Sequence, residues 1–289
     1  MALISKWRLL MKKLKMAIVG LCLLLSSMIE PVKAQSMSIT YSNLADLKTQ
    51  KSVEAIMLKD GLSKANVKRF FKDVNMYNKA IRYTSLISQG YKTAIPNYDS
   101  VKQSQLWEKS QGSFIGNNCR ITAFTLMKDQ LKITKSAQDQ YQTLFMDLSS
   151  LEDQPTPYFS SKDMKNFITY YAASGTKLTK NVNYQRKRYQ QAMNKRGIHY
   201  KKCKATMISV VMHSYFSPQE DYLFVGHTGV LLPASKGYLF VEKLSFEEPY
   251  QAVQFRSKKQ LKAYLMKKYD VDQHQPTAKP LIMENNHAL

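Results

Sequence analysis

Cysteine is scarce in this chain: 289 residues hold three, Cys22, Cys119 and Cys203. Three thiols so far apart make no disulfide framework, and none has the C-x-x-C spacing of a zinc or redox site, so the expectation is no metal and no cofactor. Internal repeats and low-complexity segments are missing, which removes repeat architectures. No RNP, zinc-finger or helix-turn-helix signature is present, so nucleic acid is not the expected partner. Long apolar runs are absent too. The one candidate, MAIVGLCLLLSSMI, is too short to span a bilayer comfortably. Acidic side chains are few, 21 Asp and Glu against 43 Lys and Arg, for a net charge of +22.

That apolar run has a positive flank of Lys6, Arg8, Lys12, Lys13 and Lys15 before it, and VKA precedes Gln35. Together these read as a secretory signal peptide over 1–34, with Met11 an alternative initiator and no stable membrane span after cleavage. Cys22 is a poor lipidation site, because Leu21 stands where a small residue belongs. Cleavage leaves 37 basic and 20 acidic residues, a balance of +17. An exported chain so basic is expected to meet anionic cell-wall polymers, although YQRKRYQQAMNKRG and RSKKQLKAYLMKKYD also read as ordinary solvated helix faces.

The remaining chain changes character near residue 200. Before it, SVEAIMLKD, SKANVKRFFKDVNMYNKAIRY, CRITAFTLMKDQL, QDQYQTLFMDLSSL, SKDMKNFITYYAAS and NYQRKRYQQAMNKRG carry apolar residues at helical spacing. After it, ATMISVVMHSYF, DYLFVGHTGVLL, KGYLFVEKLSF and YQAVQFRS read as strands, closed by the helix SKKQLKAYLMKKY. The expected class is α+β, with one helix bearing Cys119 packed on a C-terminal antiparallel sheet. The expected organisation is a single domain over 35–275, with helical part 35–110, core 111–275 and helical insert 135–200, followed by a flexible tail over 276–289.

The stretch GSFIGNNCRITAFTLMKDQL places Cys119 in the first turn of a helix capped by Asn117 or Asn118. Unpaired N–H groups and the helix dipole favour a thiolate there. A nucleophile needs a base. His274 and His287 lie in a polar tail, His199 sits beside two lysines, and His213 has no obvious partner, which leaves His227 after Gly226. If PASK forms a four-residue hairpin loop, Leu232 pairs with Gly237, and Glu242 falls directly opposite His227 on the same face. A slip of one residue would put Lys243 there instead. The candidate catalytic set is therefore Cys119, His227 and Glu242, with Asn117 and Asn118 as oxyanion or substrate contacts. Glu247, Glu248 and Gln251 are less favoured substitutes for Glu242. A Cys119–Cys203 bridge would remove the catalytic reading.

Asn118, Cys119 and Arg120, His227 to Leu232, FVEKLSFEEPYQA and the early YSNLADL resemble a family of secreted Gram-positive proteins described only as a domain of unknown function, over roughly residues 38–270. The order of Cys, His and acid is similar to the papain-like fold of NlpC-type cell-wall peptidases and amidases. That resemblance implies Cys119 as nucleophile, His227 as base and acid, and Glu242 as orienter. It also implies a secreted hydrolase of amide bonds in peptidoglycan or peptides. The 108 residues between Cys119 and His227 exceed what compact NlpC-type domains use. A non-catalytic binding protein with a structural Cys119, and transglutaminase-like acyl transfer, stay open, as does the oligomeric state.

Overall fold

Polar caps and apolar spacing set the helices. In the computed structural model, which describes residues 38–137 and 142–289, strand β1 (Thr40–Ser42) precedes helices α1 (Leu47–Lys59), α2 (Lys64–Ala80), α3 (Ser100–Gln111) and α4 (Cys119–Met127). Short strand β2 (Leu131–Ile133) leads to α5 (Phe145–Glu152) and α6 (Ser161–Tyr171). Then come β3 (Ser174–Gly175), α7 (Val182–Lys195), β4 (Ile198–Tyr200), β5 (Thr206–Tyr215) and β6 (Asp221–Ala234). The chain closes with β7 (Gly237–Lys243), β8 (Tyr250–Phe255), α8 (Lys258–Tyr269), β9 (Leu281–Glu284) and β10 (His287–Ala288). The expected leader over 1–34 lies outside the described residues.

Seven of these eight described helices begin with a side-chain cap, from Asp46, Ser63, Asp99, Asn118, Ser160, Asn181 and Ser257. Each such bond satisfies an otherwise unpaired N–H and is worth about 1 kcal/mol. Helix α3 was not expected from sequence, because only Gln103 and Trp107 of its twelve residues are buried and no apolar stripe announces it.

The large sheet is antiparallel, in the order β1-β8-β7-β6-β5-β9-β10, with β3 added beside β6. The class is therefore α+β, as expected. Its organisation differs at both ends. Thr40–Ser42 enters as an edge strand on β8, and the segment read as a flexible tail over 276–289 supplies β9 beside β5, with Ile282 and Met283 buried. Strands of four residues or fewer are too short to show a two-residue period, and tertiary pairing alone defines them.

The sheet is covered on both faces. Helix α4 packs Ile121, Phe124 and Leu126 into one core with Val230, Leu232, Leu239 and Val241. Helix α8 packs Leu261 and Leu265 into a second core with Leu231, Phe240 and Val253. Alternate residues of β6 and β7 thus point to opposite cores, the two-residue period of a strand. Phe124 is the hub of the first core, with Phe159, Phe167, Tyr170 and Tyr171 around it at centroid distances of 5.4 to 6.4 Å.

Candidate active site

Helix α4 is nine residues long and eight of them are buried, so its position is fixed by the core rather than by its own propensity. Asn118 starts it by accepting from the Ile121 N–H at 3.0 Å, which leaves Cys119 at the first helical position. The next residue, Arg120, anchors the start of the helix. Its Nε and one terminal nitrogen donate to the two oxygens of Asp147 at 2.8 and 2.5 Å. Its other terminal nitrogen donates to the Val225 carbonyl at 3.0 Å. A guanidinium thus clamps the start of α4 to α5 and to the strand that carries the histidine. Nothing local in the sequence announces Asp147, 27 residues away.

Strand β6 carries the second device. Its pairing with β5 runs Val210↔His227 and then Val211↔Val225, so Gly226 is the extra residue of a β-bulge. Bulges re-aim side chains locally. A Cβ on Gly226 would lie 2.4 Å from the Met212 sulfur, so a larger residue there must push that side chain aside.

The hairpin that follows differs from the expectation. The turn is Ser235–Lys236, since Ala234 pairs with Gly237 and Leu232 with Leu239. The register is shifted by two residues from the one that places Glu242 directly opposite His227. A shift of two preserves the face, whereas a shift of one inverts it. His227 and Glu242 therefore meet as diagonal neighbours, and the His227 Nε2–H donates to Glu242 Oε2 at 2.5 Å.

Glu242 accepts two further bonds at Oε1, from Gln251 Nε2 at 2.6 Å and from the Tyr264 hydroxyl at 3.0 Å. Burial opposes its ionisation, but the His227 hydrogen bond and charge prevail and hold the carboxyl down at about 2. Tyr269 stacks on the His227 ring at 4.9 Å and 22°. These contacts put the His–Glu pair on the α8 face, while α4 lies on the opposite one. The β6–β7 ladder ends at Val230↔Val241, and at its open end His227 and Cys119 are close enough for each to shift the other's ionisation. With Nε2 engaged by Glu242, Nδ1 is the atom left for sulfur.

The electrostatics of the pair run in opposite directions. Burial disfavours the Cys119 thiolate, yet the His227 charge, its hydrogen bond and Arg120 outweigh it and lower the thiol below its usual range. Burial also disfavours the imidazolium, and the Cys119 and Glu242 contacts outweigh that, raising His227 to about 9. Both shifts act in the direction of a thiolate–imidazolium pair, with the carboxylate holding the ring. The site is also enclosed: Cys119 is 6% exposed, His227 1% and Glu242 0%.

The asparagines take structural roles in their contacts. Asn118 Nδ2 donates to Asp147 at 2.7 Å, and Asn117 donates to Asp73 at 3.3 Å while accepting from Gln154 at 3.0 Å. Glu247 and Glu248 lie in the loop after β7 and do not bond His227, while Gln251 supports Glu242 instead of replacing it. His213, which had no partner in sequence, donates from Nε2 to Asp221 at 2.7 Å and accepts at Nδ1 from the Ala278 N–H. Cys119 and Cys203 are both free, so the alternative of a bridge between them does not hold. Cys203 instead donates to the Asp60 carbonyl. Among the described residues no cluster of three or more His, Cys, Asp or Glu could hold a metal, and no helix is long and apolar enough to cross a membrane.

A family model described as a domain of unknown function, DUF4300, matches residues 40–289. The chain belongs to the DUF4300 family. No curated protein and no solved structure matches it. The matched residues contain all the site residues named above and also β9, which lies beyond the expected limit of 275.

Proposed function

We propose that this DUF4300 chain is a secreted cysteine hydrolase of a Gram-positive bacterium, with a papain-like, NlpC-type arrangement. It would cleave amide bonds in cell-wall peptidoglycan or peptides. The observation that carries the reading is a single imidazole hydrogen-bonded to a fully buried carboxylate and electrostatically coupled to a buried thiol at the start of a helix. In this reading the Cys119 thiolate attacks the amide carbonyl. The Cys119 backbone N–H, at the first helical position where no intrahelical acceptor exists, supports the oxyanion. The His227 imidazolium gives its proton to the leaving amine, and the neutral ring then takes one from the attacking water, so that the acid leaves and the thiolate and imidazolium are restored. The +17 balance expected after loss of residues 1–34 favours residence on anionic wall polymers, screened by salt.

The test is release of free amines from purified peptidoglycan and from a mixed peptide pool, comparing the chain with Cys119→Ala. Release that disappears in the variant supports the proposal. Equal release, or none from either substrate, counts against it. The enclosure of Cys119 favours a second reading, a non-catalytic binding protein on the same fold with a structural thiol. That reading predicts retention on cell wall by both proteins with no amine release.

A further inference from the structure

The loop that leads into Cys119 and the loop that leaves Glu242 form two walls of one groove of about 480 Å³. Trp107, Phe114, Ile115, Met146 and Phe246 give it an apolar lining, and Glu108 and Glu247 contribute its only ionisable side chains. Both glutamates are exposed, and neither forms an ion pair among the described residues. In a chain with twice as many basic as acidic residues, a groove whose charge is wholly negative departs from the surrounding surface.

The walls are built from buried contacts. Gly116, with φ +86°, passes over the Trp107 ring so closely that a Cβ would sit 3.0 Å from it, and three residues later the chain reaches Cys119. The Trp107 Nε1–H donates to the Phe114 carbonyl at 2.6 Å. Trp107 packs on Tyr77 at 5.4 Å, and the Tyr77 hydroxyl donates to the Glu247 carbonyl at 2.5 Å. Lys243, fully buried beside Glu242, lies 4.0 Å over the Tyr77 ring and donates to the carbonyls of Ser245, Phe246 and Glu248. One Trp–Tyr–Lys column therefore ties both walls to the two segments that carry the nucleophile and the acid.

We infer that this groove is a substrate subsite for a side chain with an aliphatic body and a terminal ammonium, a lysyl-type residue of a peptide. The body would lie against the aromatic lining and the ammonium between Glu108 and Glu247. This rests on the hydrolase reading above and names the substrate class it would act on.

The experiment uses the full chain carrying Trp7→Phe, which leaves Trp107 as the sole tryptophan, and Cys119→Ala, which prevents turnover. Trp107 emission and heat of binding are followed with capped tripeptides Ac-Ala-X-Ala-NH2, where X is lysine, norleucine or glutamate. The lysyl peptide is expected to bind about fivefold tighter than the norleucyl one, the scale of a partly exposed ion pair. The preference should vanish in Glu108→Gln/Glu247→Gln, whose changes are on the surface and spare the fold. Equal or tighter binding of the norleucyl or glutamyl peptide, or no binding of any into the millimolar range, overturns the inference. The two readings fail separately. Lysyl preference with no cleavage by the Cys119 protein keeps the groove and removes the hydrolase, while cleavage indifferent to side-chain charge does the reverse.

Discussion

Glu242→Gln isolates the charge that sustains the imidazolium. The substitution preserves volume but turns one acceptor oxygen into an NH2 donor within a site that supplies three donors, at 2.5, 2.6 and 3.0 Å, to a fully buried carboxylate. At least one of the His227, Gln251 and Tyr264 donors must lose its acceptor. An orphaned buried donor costs about 1–3 kcal/mol, and more where a charge is involved, so the folded state should lose on the order of 3 kcal/mol. The imidazolium also loses an adjacent negative charge. Since one unit of pKa corresponds to 1.36 kcal/mol, His227 should titrate well below its value of about 9. The signs can be checked against pH. The raised His227 stabilises the fold fully below the ordinary histidine range and ceases to do so as pH rises through about 9. The depressed Glu242 stabilises it above the ordinary carboxylate range and ceases to do so only near pH 2. NMR titration of the His227 Cε1–H, with urea denaturation in parallel, reads both effects. An unchanged midpoint together with a stability loss under about 0.5 kcal/mol, the range of ordinary surface substitutions, would refute the reasoning.

Other perturbations probe what surrounds the pair. Asp147→Asn leaves the Arg120 guanidinium, 13% exposed, without its anion, and thermal denaturation should show a loss of about 3–5 kcal/mol. A loss within error would remove the clamp from the account. Gly226→Ala forces Met212 aside, with an expected cost of about 1–3 kcal/mol by the same assay. Slower Cys119 alkylation should accompany it if the bulge aims His227. Asp73 is raised to about 6, chiefly by burial against the opposing Tyr158 hydrogen bond. Its stabilising contribution is therefore complete below the ordinary aspartate range and lost as pH rises through about 6. Asp73→Asn should flatten the rise in urea midpoint between pH 7 and pH 4.5, and an unaltered slope contradicts the assignment.

What the sequence reveals about this chain follows from the range of the interactions involved. Asn118 and Cys119 were legible because a cap and a first turn are local. The His227–Glu242 contact was reached through the wrong loop length, and it survived because a two-residue error leaves a strand's faces unchanged. Had the turn been one residue shorter or longer, Lys243 would have taken the face and the contact would have been missed. The Arg120 contacts depend on partners 27 and 105 residues away, the entry of Leu281–Glu284 on pairing of a four-residue strand, and the Gly226 bulge on a break in register with β5, and no periodicity encodes them. The hairpin register put Glu242 on the face of His227 without saying which helix covers that face. The packing places it on the α8 face, and the site spans the sheet at the end of a ladder.

Alkylation kinetics test the ion pair itself. The pH midpoint of iodoacetamide alkylation at Cys119 should lie below that of an ordinary thiol, because the lowered pKa supplies thiolate at lower pH however slowly the reagent reaches a buried sulfur. In His227→Ala the midpoint should rise above that of an ordinary thiol, since burial then acts unopposed by the imidazole. An identical midpoint in both proteins would contradict the account, because it would mean that His227 does nothing to ionise the Cys119 sulfur.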